Sequence, residues 1–228
     1  DRTHMAELYK RFSVSGERVI AVDLPAHGAT AELEQDGPMG IAELASDLQF
    51  MLTEVGVDSV NLIGHSMGGV VAVALAASLG RAVQRMTLLD PGIFLPADRS
   101  TALSDFFDTL TNDADFKVAV HRFVPSMFEP TDDSEIVREV QTRLSNMARQ
   151  AYLDIARSLL SFDSLSVASH VMCPTLMIVP AQHFADLSLM KRVLPNWRVG
   201  VVVGAGHYMQ MQVPDQVYAM SQRFAEIC

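Results

Sequence analysis

Residues 60–77 read VNLIGHSMGGVVAVALAA. The first four residues are typical of a buried strand, and the last eight are typical of a helix rich in small residues. Between them, Gly64 and Gly68 lie two residues on either side of Ser66, which is the G-x-S-x-G spacing of a nucleophile elbow. The glycines leave room where strand and helix crowd together, and the serine hydroxyl projects from the tight turn. We therefore predict that Ser66 is a catalytic nucleophile.

The helix after this turn also provides a place for negative charge. The first backbone N–H groups of a helix have no partner within it, so the N–H of Met67 is available to an oxygen anion that forms beside Ser66. We predict that Met67 is one donor of an oxyanion hole. The alternative is a structural glycine turn without chemistry, and the flanking strand and helix favour the catalytic interpretation.

The composition is that of one globular domain. The chain has 228 residues, of which 49% are apolar and 19% charged, and its net charge is −10. Because Lys and Arg are scattered along an acidic chain, with never more than two in a row, we expect neither nucleic acid nor a membrane surface as a partner. The two cysteines suggest no disulfide framework, and we see neither a secretion signal nor an apolar run that could cross a membrane. We therefore expect a cytoplasmic protein.

Short β-branched segments alternate with helical patterns along most of the chain. We predict strands at 18–22, 60–63, 85–89, 175–179 and 198–203, and helices at 41–55, 187–194 and 214–227. This alternation predicts an α/β fold: a three-layer sandwich with a mainly parallel sheet and helices on both faces.

Residues 96–167 break the alternation, because they show helical patterns only, at 103–110, 116–128, 134–147 and 151–160. We interpret this segment as a helical lid inserted into a core formed by residues 1–95 and 168–228.

Attack by a serine needs a base, and His207 is the best placed of the seven histidines. It follows Gly204-Ala205-Gly206, directly after the predicted strand 198–203, and therefore emerges at the same sheet edge as Ser66. The alternative is a loop histidine with a structural role. We interpret His27 as a turn residue and His65 as pointing away from Ser66, and we assign no role to His4, His121 and His170.

Two aspartates are candidates for the carboxylate that orients the base. Asp90 ends the predicted strand 85–89, one helix and one strand after Ser66, which puts it beside the nucleophile strand at the same sheet edge. Asp186 follows the strand 175–179 by several residues and precedes a helical pattern, which is typical of an N-cap. The placement favours Asp90.

Four motifs occur in order: DLPAHG at 23–28, GHSMGG at 64–69, CPTLMIV at 173–179 and GAGH at 204–207. On these motifs the chain resembles the α/β-hydrolase superfamily, and especially its small bacterial esterases and lactonases, over nearly its whole length. The resemblance implies that Ser66 is the nucleophile and His207 the base.

Two features depart from the family pattern. Most relatives carry the acid in a G-x-x-D turn after the strand matching 175–179, where this chain has PAQH and places His183 at the position of the carboxylate. Some branches carry the acid after the strand matching 85–89, which supports Asp90. The family also begins with further strands and a His-Gly turn that donates a second oxyanion N–H, so we expect about 30 further residues before Asp1 in the natural protein.

From these residues we predict a serine hydrolase that cleaves a carboxylic ester or lactone of a small hydrophobic substrate through an acyl-enzyme. Phe123, Met127 and Phe128 are the predicted substrate-binding residues, and Phe106, Phe107 and Met147 are further apolar candidates. The alternative is that these side chains pack the lid onto the core. Neither a metal nor a cofactor takes part in this chemistry, and we expect none.

Two other functions stay open on the same fold. One is a cofactor-free dioxygenase of a heteroaromatic substrate, in which His207 matters more than Ser66. The other is a ligand receptor without catalysis. Nothing in the sequence indicates an oligomeric state.

Overall fold

The computed structural model describes residues 1–31, 39–110, 112–183, 185–194 and 196–228. Within these residues a single sheet contains four strands in spatial order β1-β2-β3-β4, and each neighbouring pair is parallel. The strands are β1 (Val60–His65), β2 (Val83–Leu89), β3 (Thr175–Val179) and β4 (Arg198–Val201). Four of the five predicted strands are therefore confirmed, although β4 ends two residues earlier than predicted.

Helices account for most of the remaining described chain. Those before β2 are α1 (Ala6–Val14), α2 (Ile41–Glu54) and α3 (Met67–Leu79); those between β2 and β3 are α4 (Ala97–Asp108), α5 (Asp113–Phe123), α6 (Ser134–Ser145), α7 (Arg149–Ser161) and α8 (Ser164–Ala168); and those after β3 are α9 (Leu187–Val193), α10 (Met209–Gln212) and α11 (Pro214–Ile227). Among the described residues, no helix combines the length and the apolar character that a membrane span requires.

The sheet is covered on both faces because alternate residues of each strand point in opposite directions. Met177 and Val179 of β3 pack with α2, α3 and α9, whereas Leu176 and Ile178 pack with α1 and α11. Strand β3 is therefore buried at every position and apolar from Leu176 to Val179, as expected of a parallel strand between two helical layers. The predicted three-layer α/β sandwich is confirmed.

Residues 18–22 correct the strand prediction, because they form no ladder with any strand in the described chain. Residues 19–22 line a cavity of about 740 Å³ that β1 also lines, and Ile20 is 43% exposed. A strand becomes stable only through its ladder partners. The β-branched pattern of residues 18–22 is therefore present, but no described strand supplies the pairing it needs.

Residues 97–168, here called the helical insertion, contain α4 to α8 and show no strand in their described part. The insertion has its own apolar core, which includes Phe107, Phe116, Val140 and Leu153 and also takes in Tyr208 from outside the insertion. The helical character predicted for this segment is confirmed, and the domain boundaries at 95/96 and 167/168 stay a prediction.

The turn between β1 and α3 holds Ser66 in a strained conformation. Its φ of 52° and ψ of −121° are rarely adopted by a residue with a side chain. Ser66 N–H donates to Leu89 O at 3.0 Å, and Ser66 O accepts from Gly69 N at 2.9 Å. The neighbouring strand and the first turn of α3 therefore hold the strained backbone in place.

Gly64 is required at this turn because α3 passes directly over it. A Cβ added at Gly64 would lie 2.8 Å from both the carbonyl carbon of Gly68 and the Cα of Gly69, whereas a Cβ added at Gly68 would meet nothing within 4 Å. The two elbow glycines thus differ in their steric role.

We expect Gly64→Ala to lower the free energy of unfolding by about 3 kcal/mol, because the added methyl group is forced against backbone. Gly68→Ala is the matched control and should change it by less than about 1 kcal/mol, since alanine is a good helix residue. Urea denaturation of both variants measures the difference. Equal losses of stability would contradict this account of the turn.

Candidate active site

The residues predicted to carry chemistry meet at one edge of the sheet. Ser66 directly follows β1, Asp90 directly follows β2, and His207 lies in the loop between β4 and α10. The carboxyl ends of parallel strands share one edge, which is where such folds place their ligand sites. Asp90 has a φ of 37°, and its N–H donates to Ile178 O at 2.8 Å, so its backbone is held by β3.

The structure joins two of these residues directly. His207 Nδ1 lies 2.7 Å from Asp90 Oδ2, and the side chains are 5% and 0% exposed. A carboxylate accepts hydrogen bonds, so Nδ1 carries the proton and donates it. In this tautomer of the neutral imidazole the other ring nitrogen, Nε2, is the acceptor. This is the arrangement of a base and its orienting acid.

Asp186, the alternative acid, has a different role in the structure. Its side chain accepts from Ser188 N at 2.9 Å and from Leu189 N at 3.1 Å, which makes it the N-cap of α9. The hydrogen bond from the Ser188 hydroxyl is the main cause of the lowered pKa of Asp186. Of the two candidates, Asp90 is therefore the one that the fold brings to His207.

Ser66, Met67 and His207 all line the cavity of about 740 Å³. Four of the apolar residues singled out in the sequence line it as well: Phe107, Phe123, Met127 and Met147. The helical insertion thus provides an apolar wall of the cavity that Ser66 also lines.

Phe128 and Phe106 are not among the residues that line this cavity, and substrate binding by Phe128 stays a prediction. The backbone at Phe128 is extended, with φ −117° and ψ 153°. Its ring stacks on Tyr208, with the ring centroids 5.0 Å apart and the planes 5° apart. Phe128 therefore packs the insertion against the histidine loop.

Sequence reasoning missed one face of α7 that lines the cavity. Tyr152, Ile155, Ala156 and Leu159 line it, at the i, i+3, i+4, i+7 spacing of a single helix face. This spacing could have been found in the sequence, since it marks an apolar helix face that packs against another part of the protein. Burial raises the pKa of Tyr152 to about 12, so its hydroxyl stays protonated at neutral pH.

His65 forms a hydrogen bond to the backbone of His207. Its Nε2 donates to His207 O at 2.9 Å, and the two ring centroids are 4.5 Å apart. Burial of the imidazole, together with the nearby His207, holds the pKa of His65 well below its usual range. His65 is therefore neutral at neutral pH and adds no positive charge beside the base.

Two further histidines line the cavity, and both are neutral at neutral pH. Burial lowers the pKa of His4 to about 3, and burial also lowers the pKa of His27. His27 Nδ1 donates to Pro25 O at 2.8 Å, within the turn predicted for it. Their imidazoles thus contribute polar surface without charge.

Residues 3–220 match a family model described as the Alpha/beta hydrolase family. A dihydrolipoyllysine-residue acetyltransferase component of an acetoin cleaving system from Pseudomonas putida is 27% identical over 215 residues, which cover 88% of this chain and 54% of that protein. A 2-hydroxy-6-oxononadienedioate/2-hydroxy-6-oxononatrienedioate hydrolase from Paraburkholderia phymatum is 31% identical over 154 residues, which cover 63% of this chain and 50% of that protein. The chain thus spans about half the length of these relatives.

Solved structures show the same fold over 99% of this chain. A thermophilic esterase from Thermogutta terrifontis has a TM-score of 0.83 at 20% identity, with 85% of its own chain covered. A hydrolase from Oleispira antarctica has a TM-score of 0.87 at 16% identity, and an enol-lactonase from Burkholderia xenovorans LB400 has 0.80 at 18%, each with 87% of its chain covered. By the match of its sequence over residues 3–220, and in keeping with this fold, the chain belongs to the alpha/beta hydrolase family.

Proposed function

We propose that this chain is a serine hydrolase that cleaves a carboxylic ester or lactone of a small hydrophobic substrate through an acyl-enzyme. The observation that carries the proposal is the buried 2.7 Å hydrogen bond between His207 and Asp90, on the wall of the cavity that the elbow residue Ser66 also lines. The esterase and the enol-lactonase on this fold support the class of substrate.

The first half of the reaction forms the acyl-enzyme. Ser66 Oγ attacks the carbonyl carbon of the substrate while His207 Nε2 takes the hydroxyl proton. The carbonyl electron pair moves to its oxygen, and the N–H of Met67, at the start of α3, donates to that anion. When the anion collapses, the bond to the leaving oxygen breaks and His207 returns the proton to it.

The second half releases the acyl group. A water molecule gives its proton to His207 Nε2 and attacks the acyl carbonyl, and the breaking ester bond returns the oxygen to Ser66 together with that proton. Throughout, Asp90 holds the imidazole in the tautomer with hydrogen on Nδ1 and stabilises the imidazolium that forms twice. No step of this sequence calls for a metal or an organic cofactor.

The apolar wall supports a hydrophobic substrate. Phe107, Phe123 and Met127 face the same cavity as Ser66, and pockets of this kind orient an apolar ligand with a few polar groups. A small-molecule ester or lactone with an apolar acyl part fits such a cavity. Its carbonyl group would lie at the elbow, and its apolar part would lie against the insertion.

We expect Ser66→Ala to lower turnover of p-nitrophenyl butyrate by at least about 10⁴-fold, because the nucleophile is lost. Labelling by a fluorophosphonate probe should disappear with it. Ser78→Ala is the matched control, since Ser78 is an exposed serine on the same helix that bonds only to Gln49 in the described structure, and it should keep full activity.

Three results would count against the proposal. Wild-type protein that neither turns over the ester nor takes the label would indicate a ligand receptor. Ser66→Ala protein that keeps its activity would show that the nucleophile is elsewhere. Oxygen-dependent conversion of a heteroaromatic substrate that survives Ser66→Ala would indicate a cofactor-free dioxygenase.

We expect Asp90→Asn to lower kcat by about 10⁴-fold with KM little changed, because an amide nitrogen facing His207 favours the wrong tautomer. Asp186→Asn is the matched control and should leave kcat at the wild-type level, since the side chain of Asp186 caps helix α9. Steady-state kinetics on p-nitrophenyl butyrate decide between the two aspartates. The assignment of Asp90 fails if the Asp186 variant shows the larger loss.

A further inference from the structure

We propose that Asp132, in the helical insertion, is a positioning residue for the base His207. The inference rests on the proposed function, because it assigns a role to the backbone around the same histidine. Asp132 belongs to the turn formed by residues 127–133, here called the insertion turn, which connects the 3-10 helix after α5 to α6.

The insertion turn binds two successive backbone N–H groups of the histidine loop. Gly206 N donates to Asp132 Oδ2 at 3.1 Å, and His207 N donates to Met127 O at 2.8 Å. The first bond goes to a carboxylate, which makes it the stronger kind of hydrogen bond. The insertion turn therefore holds the backbone N–H groups of His207 and of the residue before it.

The insertion turn and the histidine loop also pack closely around these two hydrogen bonds. A Cβ added at Gly206 would lie 2.6 Å from Met127 O and 2.9 Å from the Cα of Phe128, so only glycine fits against the turn. Beyond His207, the ring of Tyr208 stacks on Phe128, and Asp133 N donates to Gln212 Oε1 at 3.1 Å. The insertion turn thus contacts the chain from Gly206 to Gln212, at the end of helix α10.

One oxygen of Asp132 makes all of its hydrogen bonds in the described structure. Oδ2 accepts from Gly206 N and also from Glu129 N at 2.9 Å, whereas Oδ1 is buried and has no hydrogen-bond partner among the described residues. What Gly206 requires from position 132 is therefore one acceptor oxygen, which asparagine also offers. This requirement makes the role testable by a conservative change.

These contacts complete a three-sided support of His207. Asp90 holds the imidazole, His65 holds the carbonyl oxygen, and the insertion turn holds the N–H groups. A base displaced by about 1 Å from its reacting partner loses a large part of its rate. Movement of the insertion away from the sheet at this edge would break the two hydrogen bonds that hold the N–H groups of Gly206 and His207.

We expect Asp132→Ala to lower kcat for p-nitrophenyl butyrate by about 10- to 100-fold with KM little changed, since the apolar wall stays in place while the base moves. Asp132→Asn keeps the acceptor and should recover most of the lost rate. Asp163→Ala is the matched control, because it removes a carboxylate that accepts from Ser166 N at 3.1 Å at the other end of the insertion. Its kcat should stay at the wild-type level.

A second measurement does not depend on activity. In hydrogen–deuterium exchange, Asp132→Ala should speed exchange of the amides of Gly206 and His207 by about tenfold or more, whereas Asp132→Asn and Asp163→Ala should not. If wild-type protein fails to hydrolyse the ester, the proposed function fails, and exchange still tests the contact.

The positioning role is overturned by any of three outcomes: wild-type kcat in Asp132→Ala, an equal loss in Asp132→Asn, or an equal loss in Asp163→Ala. Unchanged exchange of Gly206 and His207 in Asp132→Ala overturns it as well.

Discussion

A buried hydrogen bond of 2.7 Å joins Asp90, at the end of β2, to His207, in the loop after β4. These two strands are not neighbours, because β3 lies between them, so the histidine loop reaches across the end of β3 to make the bond. Asp90 is fully buried, and a buried carboxylate that loses its partner costs about 3–5 kcal/mol. The same bond therefore contributes to the fold and sets the tautomer of the imidazole.

Two residues of the site have strained backbone conformations, and hydrogen bonds to the neighbouring strands hold them in place. Ser66 and Asp90 both have positive φ values, of 52° and 37°, and such conformations cost of order 1–3 kcal/mol each. Each is held by a backbone hydrogen bond to the next strand, Ser66 N to Leu89 O and Asp90 N to Ile178 O. The parallel ladder thus holds both residues in conformations that an isolated turn would abandon.

The helical insertion is part of the site in two ways. Its helices supply the apolar wall of the cavity, including one face of α7. Its own core takes in Tyr208, the residue next to His207. Packing in the insertion and the placement of His207 are therefore coupled, because the segment that supplies the apolar wall also packs around the residue next to His207.

The strands of the sheet, the elbow at Ser66 and the helical character of residues 97–168 could be predicted because each depends on neighbours in the sequence. An alternation of apolar residues, a glycine pair and a helical periodicity are local signals. The strand predicted at 18–22 shows the limit of such signals, since a ladder needs a partner strand that local pattern does not specify. Phe128 shows the same limit, because its ring stacks on Tyr208 of a loop that lies far away in the sequence.

The sequence alone determined the fold class, the candidate nucleophile and the histidine that follows the last strand. Each of these depends on a pattern or motif of residues that are close together in the sequence. The sequence favours Asp90 over Asp186, but the hydrogen bond between His207 and Asp90, the stacking of Phe128 and the contact of Asp132 with Gly206 emerge only in three dimensions. The hydrogen bonds concerned join residues 117 and 74 positions apart. Contacts at such separations depend on how the strands and the insertion pack together, and no local pattern carries that information.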